Sequence, residues 1–244
     1  MIKLGYLDET FRDYRQRLFA VFDVECLERD ADQVNIDCYQ RIVSIATATN
    51  IPGENKRFFC LKNSEEDSYD ELYEEFFDYL QDLADLLAFH LPDEFEEALC
   101  KLEEDLAVMP FSPEKSELMK LKRGLESFSS LSVFTFNGGR YDLKIVAGDL
   151  YKYCTKKLEQ DINLKPTPLK RGTSYISLRY GNVVMKDILK FTAPTKLDNY
   201  LKQWQSTFGK MIFPYSAFRT IEDIEKQIDF PSREQFYNKL YNVS

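Results

Sequence analysis

Three strand patterns follow one another near the start of the chain before any helical pattern appears. Residues 18–27, 41–49 and 57–62 form runs rich in aliphatic, β-branched and aromatic side chains. Consecutive strands of this kind predict a meander at the edge of a sheet. Strand and helix patterns alternate from residue 131 onward. This order predicts an α/β or α+β protein built on one sheet.

Two kinds of element are predicted in the later part of the chain. Strands are expected over 131–136 and on either side of a short turn at Tyr180-Gly181, where they form a hairpin. One helix is expected to follow residues 137–142 and to end at Cys154. Further helices are expected over 196–204 and from Ile221 onward, with a loop at 209–218.

A long acidic segment, residues 64–129, is predicted to be helical. Apolar residues recur in it at steps of three and four, which gives each helix one apolar stripe. Pro92, Pro110 and Pro113 divide it into three helices, and Ser112 is suited to cap the third. We expect these helices to pack on the sheet as an insertion outside any active-site cleft. The stripes consist of Leu72, Phe76, Leu80, Leu83 and Leu87, then Phe95, Leu99, Leu102 and Leu106, then Leu118, Leu121, Leu125 and Phe128.

The acidic segment conceals a basic remainder. The whole chain has a net charge of −9. Residues 64–105 hold 17 acids and a single basic residue, Lys101, whereas the other 202 residues hold 24 acids and 31 bases. Attraction to phosphate depends on local potential, so the negative total does not exclude a nucleic-acid partner. A charge run is equally typical of a solvated helix face.

Composition excludes several classes of protein. The 244 residues are 44% hydrophobic, which is enough for a core and too apolar for a disordered chain. No apolar run approaches the about 18 residues of a membrane span, and the first twenty residues are too charged for a signal peptide. The five cysteines form no CxxC pair and His90 is the only histidine, which disfavours disulfides, zinc and Ser-His-Asp catalysis. We expect a protein of a reducing, intracellular compartment, without membrane contact, in which His90 is merely packed.

Two carboxylates lie close together in the first strand pattern. Asp23 and Glu25 are two residues apart in Phe22-Asp23-Val24-Glu25, so both side chains point to the same face of a strand. Carboxylates held this close repel each other unless a cation lies between them, and their oxygens suit Mg²⁺ or Mn²⁺. The pair therefore predicts a metal site, although Asp-x-Glu also occurs by chance at strand ends.

A glycine-rich turn, residues 137–142 (NGGRYD), follows the strand pattern at 131–136. Its glycines permit a tight turn and the close approach of a ligand. Asn137 offers an amide, Tyr141 a stacking ring and Asp142 a third carboxylate. An ordinary strand-to-helix turn with an acid at the helix start has the same residues.

In this order the motifs resemble those of one known family. Phe-Asp-x-Glu followed by Asn-x-x-x-Tyr-Asp is similar to the first two exonuclease motifs of the 3′–5′ proofreading domains, of DEDD type, in family B DNA polymerases. Residues 184–198 (VMKDILKFTAPTKLD) and the loop 210–215 (KMIFPY) resemble the protein-primed branch of that family. That branch serves viruses, linear plasmids and mobile elements of the Polinton or Maverick kind. The resemblance covers roughly residues 18–62 and 130–240.

The resemblance implies an RNase H-like fold with a two-metal exonuclease site. Asp23, Glu25 and Asp142 match three of the four carboxylates that hold two Mg²⁺ or Mn²⁺ ions in such enzymes. In the two-metal scheme these ions activate a water molecule and stabilise the leaving 3′ oxygen.

Five further residues match positions that contact DNA or phosphate in the family. Asn137 and Tyr141 match residues that hold the single-stranded 3′ end, by an amide bond and by stacking. Lys210 matches a lysine that stabilises the phosphate, and Tyr215 closes the same motif. Cys26 stands where these enzymes usually have a threonine that donates to the DNA strand. A thiol is a poor donor, so this contact is expected to be weak.

Two features of the family are missing from the sequence. The third exonuclease motif, Tyr-x-x-x-Asp, would supply the fourth carboxylate and a water-orienting phenol, but no tyrosine is followed four residues later by Asp. The polymerase motif Asp-Thr-Asp is also absent, and the sequence reaches Ser244 before the family's layout places the third motif. We therefore expect residues 1–63 and 130–244 to form a C-terminally incomplete exonuclease domain, with 64–129 as an acidic helical insertion.

The leading hypothesis is the N-terminal exonuclease segment of a protein-primed family B DNA polymerase, weak or inactive by itself. In the full enzyme its partners would be a single-stranded DNA 3′ end, the polymerase domain and a terminal-protein primer. One alternative is a non-catalytic relic that keeps the fold as a binding module for nucleic acid or protein. The other is an unrelated α/β protein.

Overall fold

The structure is a computed structural model, and it describes residues 5–7, 17–28, 40–63, 66–157, 164–203, 205–206, 214, 217–218, 223, 226 and 231–236. Structural statements below refer to these residues. Among them, no helix is both long and apolar enough to cross a membrane.

Seven strands form one mixed sheet. They are β1 (Phe19–Glu28), β2 (Gln40–Thr49), β3 (Lys56–Cys60), β4 (Leu131–Thr135), β5 (Thr167–Arg171), β6 (Ser174–Tyr180) and β7 (Val183–Asp187). Their order across the sheet is β3-β2-β1-β4-β7-β6-β5. The strands β1, β4 and β7 run parallel, and every other neighbouring pair is antiparallel.

Within the part of the chain that the structure describes, five α-helices accompany the sheet. They are α1 (Glu66–Ala88), α2 (Asp93–Val108), α3 (Pro113–Ser129), α4 (Asp142–Lys157) and α5 (Leu197–Gln203). Two short 3₁₀ turns, Ile188–Lys190 and Arg233–Phe236, complete the described elements.

The sheet has the arrangement of an RNase H-like fold, an antiparallel meander joined to parallel strands, with helices against it. Parallel neighbours cannot be joined by a tight turn and need a crossover. Here α1, α2 and α3 lie between β3 and β4 in the chain, and α4 lies between β4 and β5. The predicted fold class, an α/β protein with a mixed sheet and flanking helices, is confirmed.

The main core lies between one face of the sheet and the helices α1 and α4. Side chains alternate along β1, so Ala20 and Phe22 both point into this core. From α1, Phe76, Phe77 and Leu80 are fully buried in it. Full burial of such a side chain contributes about 1.5–3 kcal/mol, so the apolar stripe holds α1 on the sheet.

The helices α2 and α3 form a smaller cluster of their own. Phe95 and Leu102 of α2 pack with Leu118 and Leu125 of α3. The acidic segment 64–129 thus contributes to two hydrophobic clusters, α1 to the main core and the pair α2–α3 to the smaller one.

Several acids of α1 are paired with lysines from the rest of the chain. The Nζ atom of Lys62 lies 3.0 Å from Glu71 and 3.1 Å from Glu75, and that of Lys157 lies 3.1 Å from Asp78. Exposed pairs of this kind add little stability. They do offset part of the negative charge where α1 faces β3 and α4.

Details of the predicted elements agree with the structure except at three places. Ser112 caps α3, since its side chain accepts a hydrogen bond from the backbone N–H of Lys115 at 3.1 Å. The strand β5 was not expected, because its side chains are all exposed and show no apolar alternation. His90, which was expected to be packed, is exposed in the turn after α1. The second strand of the hairpin, β7, ends at Asp187 and not at Leu189. The predicted loop at 209–218 and the helix from Ile221 lie almost entirely outside the described residues.

Matched leucine-to-alanine changes should separate the two cores. Leu80→Ala removes a fully buried side chain from the main core and should cost about 2–5 kcal/mol of stability. Leu118→Ala, in the α2–α3 cluster, should raise hydrogen exchange within residues 93–129 and leave the sheet protected. Urea unfolding and hydrogen-exchange mass spectrometry measure the two effects. Equal loss of protection in the sheet from both changes would contradict the division.

Candidate functional site at the carboxyl edge of the sheet

The carboxyl ends of three parallel strands meet at one edge of the sheet, here called the carboxyl edge. In the register, Val21 of β1 lies opposite Phe134 of β4, and Thr135 of β4 lies opposite Asp187 of β7. Asp23 therefore lies just beyond the last paired residues of β1 and β4. The α2–α3 pair joins the sheet where β4 begins, which is the opposite edge. Ligands of open α/β sheets commonly bind at the carboxyl ends of strands.

Asp23 and Glu25 lie on the face of β1 that points away from the main core. Phe22 is buried under the helices, whereas Val21 is 38% exposed on the other face, and Asp23 is exposed as well. Glu25 is half buried and directly precedes a β-bulge in the pairing of β1 with β2. A bulge bends its strand and re-aims the side chains next to it. The two carboxylates thus stand at the end of the regular part of β1.

Three of the residues matched to DNA or phosphate contacts lie outside the turn 137–142, and the structure describes one of them, Cys26. Cys26 follows the bulge, and its half-buried side chain packs against the main core. Lys210 and Tyr215 lie outside the described residues, so their roles remain predictions.

The turn 137–142 carries the other predicted site residues from β4 into α4. Asn137 has a φ of 63°, a left-handed conformation that asparagine adopts more easily than most residues. Its carbonyl accepts a hydrogen bond from the N–H of Arg140 at 3.2 Å. Gly138 has no room for a side chain, because a Cβ there would lie 2.0 Å from Cγ2 of Thr135. The tight geometry by itself accounts for asparagine and glycine in this motif.

Asp142 is the buried carboxylate of the turn. It is 7% exposed and accepts a short hydrogen bond from Oγ1 of Thr135. Burial raises the pKa of Asp142 from 3.8 to about 7, although the hydrogen bond from Thr135 works in the opposite direction. Negative charges also contribute to the rise, and they come from Asp23, Asp187 and Glu25. The structure therefore brings the three predicted carboxylates within electrostatic range of one another.

A fourth carboxylate, not expected from the sequence, lies at this edge. Asp187 is the last residue of β7, and its side chain is completely buried. Its Oδ1 accepts from the N–H of Leu189 at 3.0 Å, and its Oδ2 accepts from the N–H of Gly139 at 3.1 Å. The Nζ atom of Lys190 lies 3.9 Å from Oδ2. An acid within an apolar strand pattern is the one signal in the sequence that points to it.

Exposed aromatic and basic side chains accompany the turn. Tyr141 is 54% exposed, and Phe191, shortly after the end of β7, is 62% exposed. Arg140 and Lys144 are exposed too, and neither forms an ion pair with a described residue. Stacking rings beside free cations are typical of surfaces that bind single-stranded nucleic acid.

The carboxylates suit a hard divalent cation by their chemistry. A set of oxygen donors with surplus negative charge is what Mg²⁺ and Mn²⁺ prefer. Among the described residues, however, no group of three or more His, Cys, Asp or Glu side chains is arranged to hold a metal ion. Asp23 lies on the face of β1 that points away from the main core. Asp142 is instead bonded to Thr135, which is buried on the helix-covered face.

A scan against models of known protein families and a search of curated proteins both found no match. The function is therefore inferred from the carboxyl edge and from the sequence motifs that meet there.

Replacing Asp142 by asparagine should change how stability depends on pH. The pKa of Asp142 is about 7 in the fold and 3.8 when unperturbed, so folding favours the protonated form and stability falls as pH rises between these values. Full ionisation would cost on the order of 4 kcal/mol. Asp142→Asn removes the charge and keeps an oxygen that accepts from Thr135. Its advantage over the wild type, measured by urea unfolding, should grow from about pH 4 to about pH 7.

The matched control is Asp85→Asn, which removes the same charge from an exposed position on α1. It should leave the pH dependence of the wild type unchanged. An advantage of Asp142→Asn that stays constant across this pH range would show that the fold does not hold Asp142 protonated.

Proposed function

We propose that the chain is the exonuclease region of a protein-primed family B DNA polymerase and that it binds the 3′ end of single-stranded DNA at the carboxyl edge. One observation carries the proposal. The carboxylates of Asp23, Glu25 and Asp142, from two motifs far apart in the sequence, act on one another electrostatically beside the exposed ring of Tyr141. The RNase H-like order of the sheet supports it, because that order puts both motifs at the same edge.

The carboxylates have a defined part in this proposal. Asp23, Glu25 and Asp142 are the residues that would hold Mg²⁺ or Mn²⁺, although the described residues do not arrange three such side chains around one point. When bound, such a cation supplies charge neutralisation and polarisation of the scissile phosphate and of a water molecule. The contribution of the chain itself is to keep Asp142 away from bulk water and to orient it through Thr135. Burial and neighbouring acids raise the pKa of Asp142 to about 7, so that its carboxyl group stays protonated in mildly acidic solution. Its affinity for a cation should therefore rise as the pH approaches neutrality.

The residues next to the turn are suited to a DNA strand end. Tyr141 directly precedes α4, and Lys144 lies three residues further, in the first turn of the helix. Tyr141 can stack on a base while Lys144 and Arg140 attract the phosphates. Asn137 is half buried and offers its side-chain amide from the start of the turn.

A second candidate is a binding module without catalysis. Two observations favour it: no group of three metal-ligating side chains is arranged for a metal among the described residues, and no Tyr-x-x-x-Asp motif occurs in the sequence. Such a module would keep the stacking and cationic residues of the carboxyl edge but would not hydrolyse DNA.

Two tyrosines on the same part of the chain allow a controlled test of DNA binding. Tyr141→Ala should weaken the binding of a labelled single-stranded oligonucleotide by about 1–3 kcal/mol, because a stacking ring is lost. Tyr151→Ala removes a ring of similar exposure, 42% against 54%, from the middle of α4 and should leave binding unchanged. Fluorescence anisotropy at fixed salt measures both. Equal affinities of the two variants would contradict the placement of the strand end at Tyr141.

A nuclease assay separates the two candidates. With three of the four family carboxylates, we expect slow removal of 3′ nucleotides from a 5′-labelled oligonucleotide in Mn²⁺, and Asp23→Ala should abolish it. DNA binding without shortening, unaffected by Asp23→Ala, would support the binding module. A wild-type chain that does not bind single-stranded DNA would contradict both candidates.

A further inference from the structure

Asp187 connects two loops of the carboxyl edge. It is fully buried at the end of β7, directly opposite Thr135 in the parallel pairing with β4. One of its carboxylate oxygens holds the chain just after β7, through the N–H of Leu189, and the other reaches across to the N–H of Gly139. Both oxygens of one side chain are thus engaged by backbone donors from different parts of the chain.

Gly139 fits tightly between two strands. Its N–H donates to Asp187 and its carbonyl accepts from the N–H of Tyr175 at 3.0 Å. A Cβ on Gly139 would lie 2.1 Å from the carbonyl oxygen of Tyr175 and 2.8 Å from Oδ2 of Asp187. The middle of the turn 137–142 is therefore fixed to β6 and β7 from both sides of one residue, Gly139.

The rest of the turn is connected to this anchor by short backbone hydrogen bonds. The carbonyl of Gly138 accepts from the N–H of Leu143 at 2.9 Å, and that of Asn137 accepts from the N–H of Arg140 at 3.2 Å. A displacement of Gly139 would therefore move Asn137 and the start of α4 together. Tyr141 and Asp142 lie within the loop that the hydrogen bond between Gly138 and Leu143 closes.

We propose that Asp187 is a positioning residue of the carboxyl edge: through Gly139 it fixes the turn 137–142, and so places Tyr141 and the start of α4 for the DNA strand. The inference rests on the proposed function for what the turn binds, but not for the anchoring itself. A carboxylate is required because two donors must be accepted at once. An asparagine has a single acceptor oxygen, and its NH₂ group would face a backbone donor.

Two variants remove the anchor by different routes. Asp187→Asn keeps the volume of the side chain and loses both its charge and one acceptor. Gly139→Ala keeps Asp187 and its charge but forces the turn away from β6 and β7. Asp78→Asn is the matched control. The side chain of Asp78 also accepts a partly buried hydrogen bond, from the hydroxyl of Tyr153 at 2.6 Å, but it lies on α1 away from the turn.

The first measurement is hydrogen exchange in the turn, which does not depend on any ligand. In Asp187→Asn and Gly139→Ala, amides of residues 137–143 should exchange at least roughly tenfold faster. Asp78→Asn should lose stability without this local change. In the unmodified protein, labelling of the nine glycines with ¹⁵N should show the Gly139 amide among the slowly exchanging ones. Fast exchange at Gly139 in the wild type, or equal exchange of the turn in Asp187→Asn and Asp78→Asn, would overturn the proposal.

The second measurement concerns what the turn binds. Both anchor variants should weaken the binding of a single-stranded oligonucleotide by roughly five- to tenfold, whereas Asp78→Asn should bind it as the wild type does. Unchanged oligonucleotide binding in both anchor variants would overturn the inference that Asp187 places the turn for the strand. If the wild type does not bind the oligonucleotide, the proposed function fails, while hydrogen exchange still decides whether Asp187 anchors the turn.

Discussion

The backbone hydrogen bonds that pair β4 with β1 on one side and with β7 on the other determine where the described candidate residues of the carboxyl edge lie. Parallel strands need crossover connections, and in this chain α1 and α4, which belong to such connections, cover one face of the sheet. The same pairing collects the carboxyl ends of three strands at one edge. Asp23, the turn 137–142 and Asp187 meet there although they come from separate parts of the sequence.

The carboxyl edge carries more negative charge than the fold by itself requires. Asp142 and Asp187 are both buried, and the charge of Asp187 adds to the forces that raise the pKa of Asp142. Burial of a charge lowers stability unless hydrogen bonds or a counter-charge compensate for it. Asp187 is compensated by two backbone donors, whereas the rise in the pKa of Asp142 shows that its single bond to Thr135 is not enough. Perturbed acids of this kind are frequent at functional sites.

The negative net charge of the chain is compatible with a DNA-binding edge because the charges are separated in space. Acids of α1 are partly neutralised by Lys62 and Lys157, and the α2–α3 pair joins the sheet at the edge opposite Asp142. Arg140 and Lys144 remain exposed beside the turn. Electrostatic attraction to phosphate falls off within about one Debye length, so the local cations matter more than the total.

Local patterns of the sequence determine the first strand, the apolar stripe of α1 and the glycine-rich turn, because each depends on residues close together in the chain. The same-face spacing of Asp23 and Glu25 is local in this sense as well. The tertiary structure alone decides that α1 belongs to the main core, that the exposed segment Thr167–Arg171 is an edge strand, and that Asp187 reaches Gly139. Each of these depends on which distant strands pair and in what register, and periodicity within a single segment carries no information about that pairing.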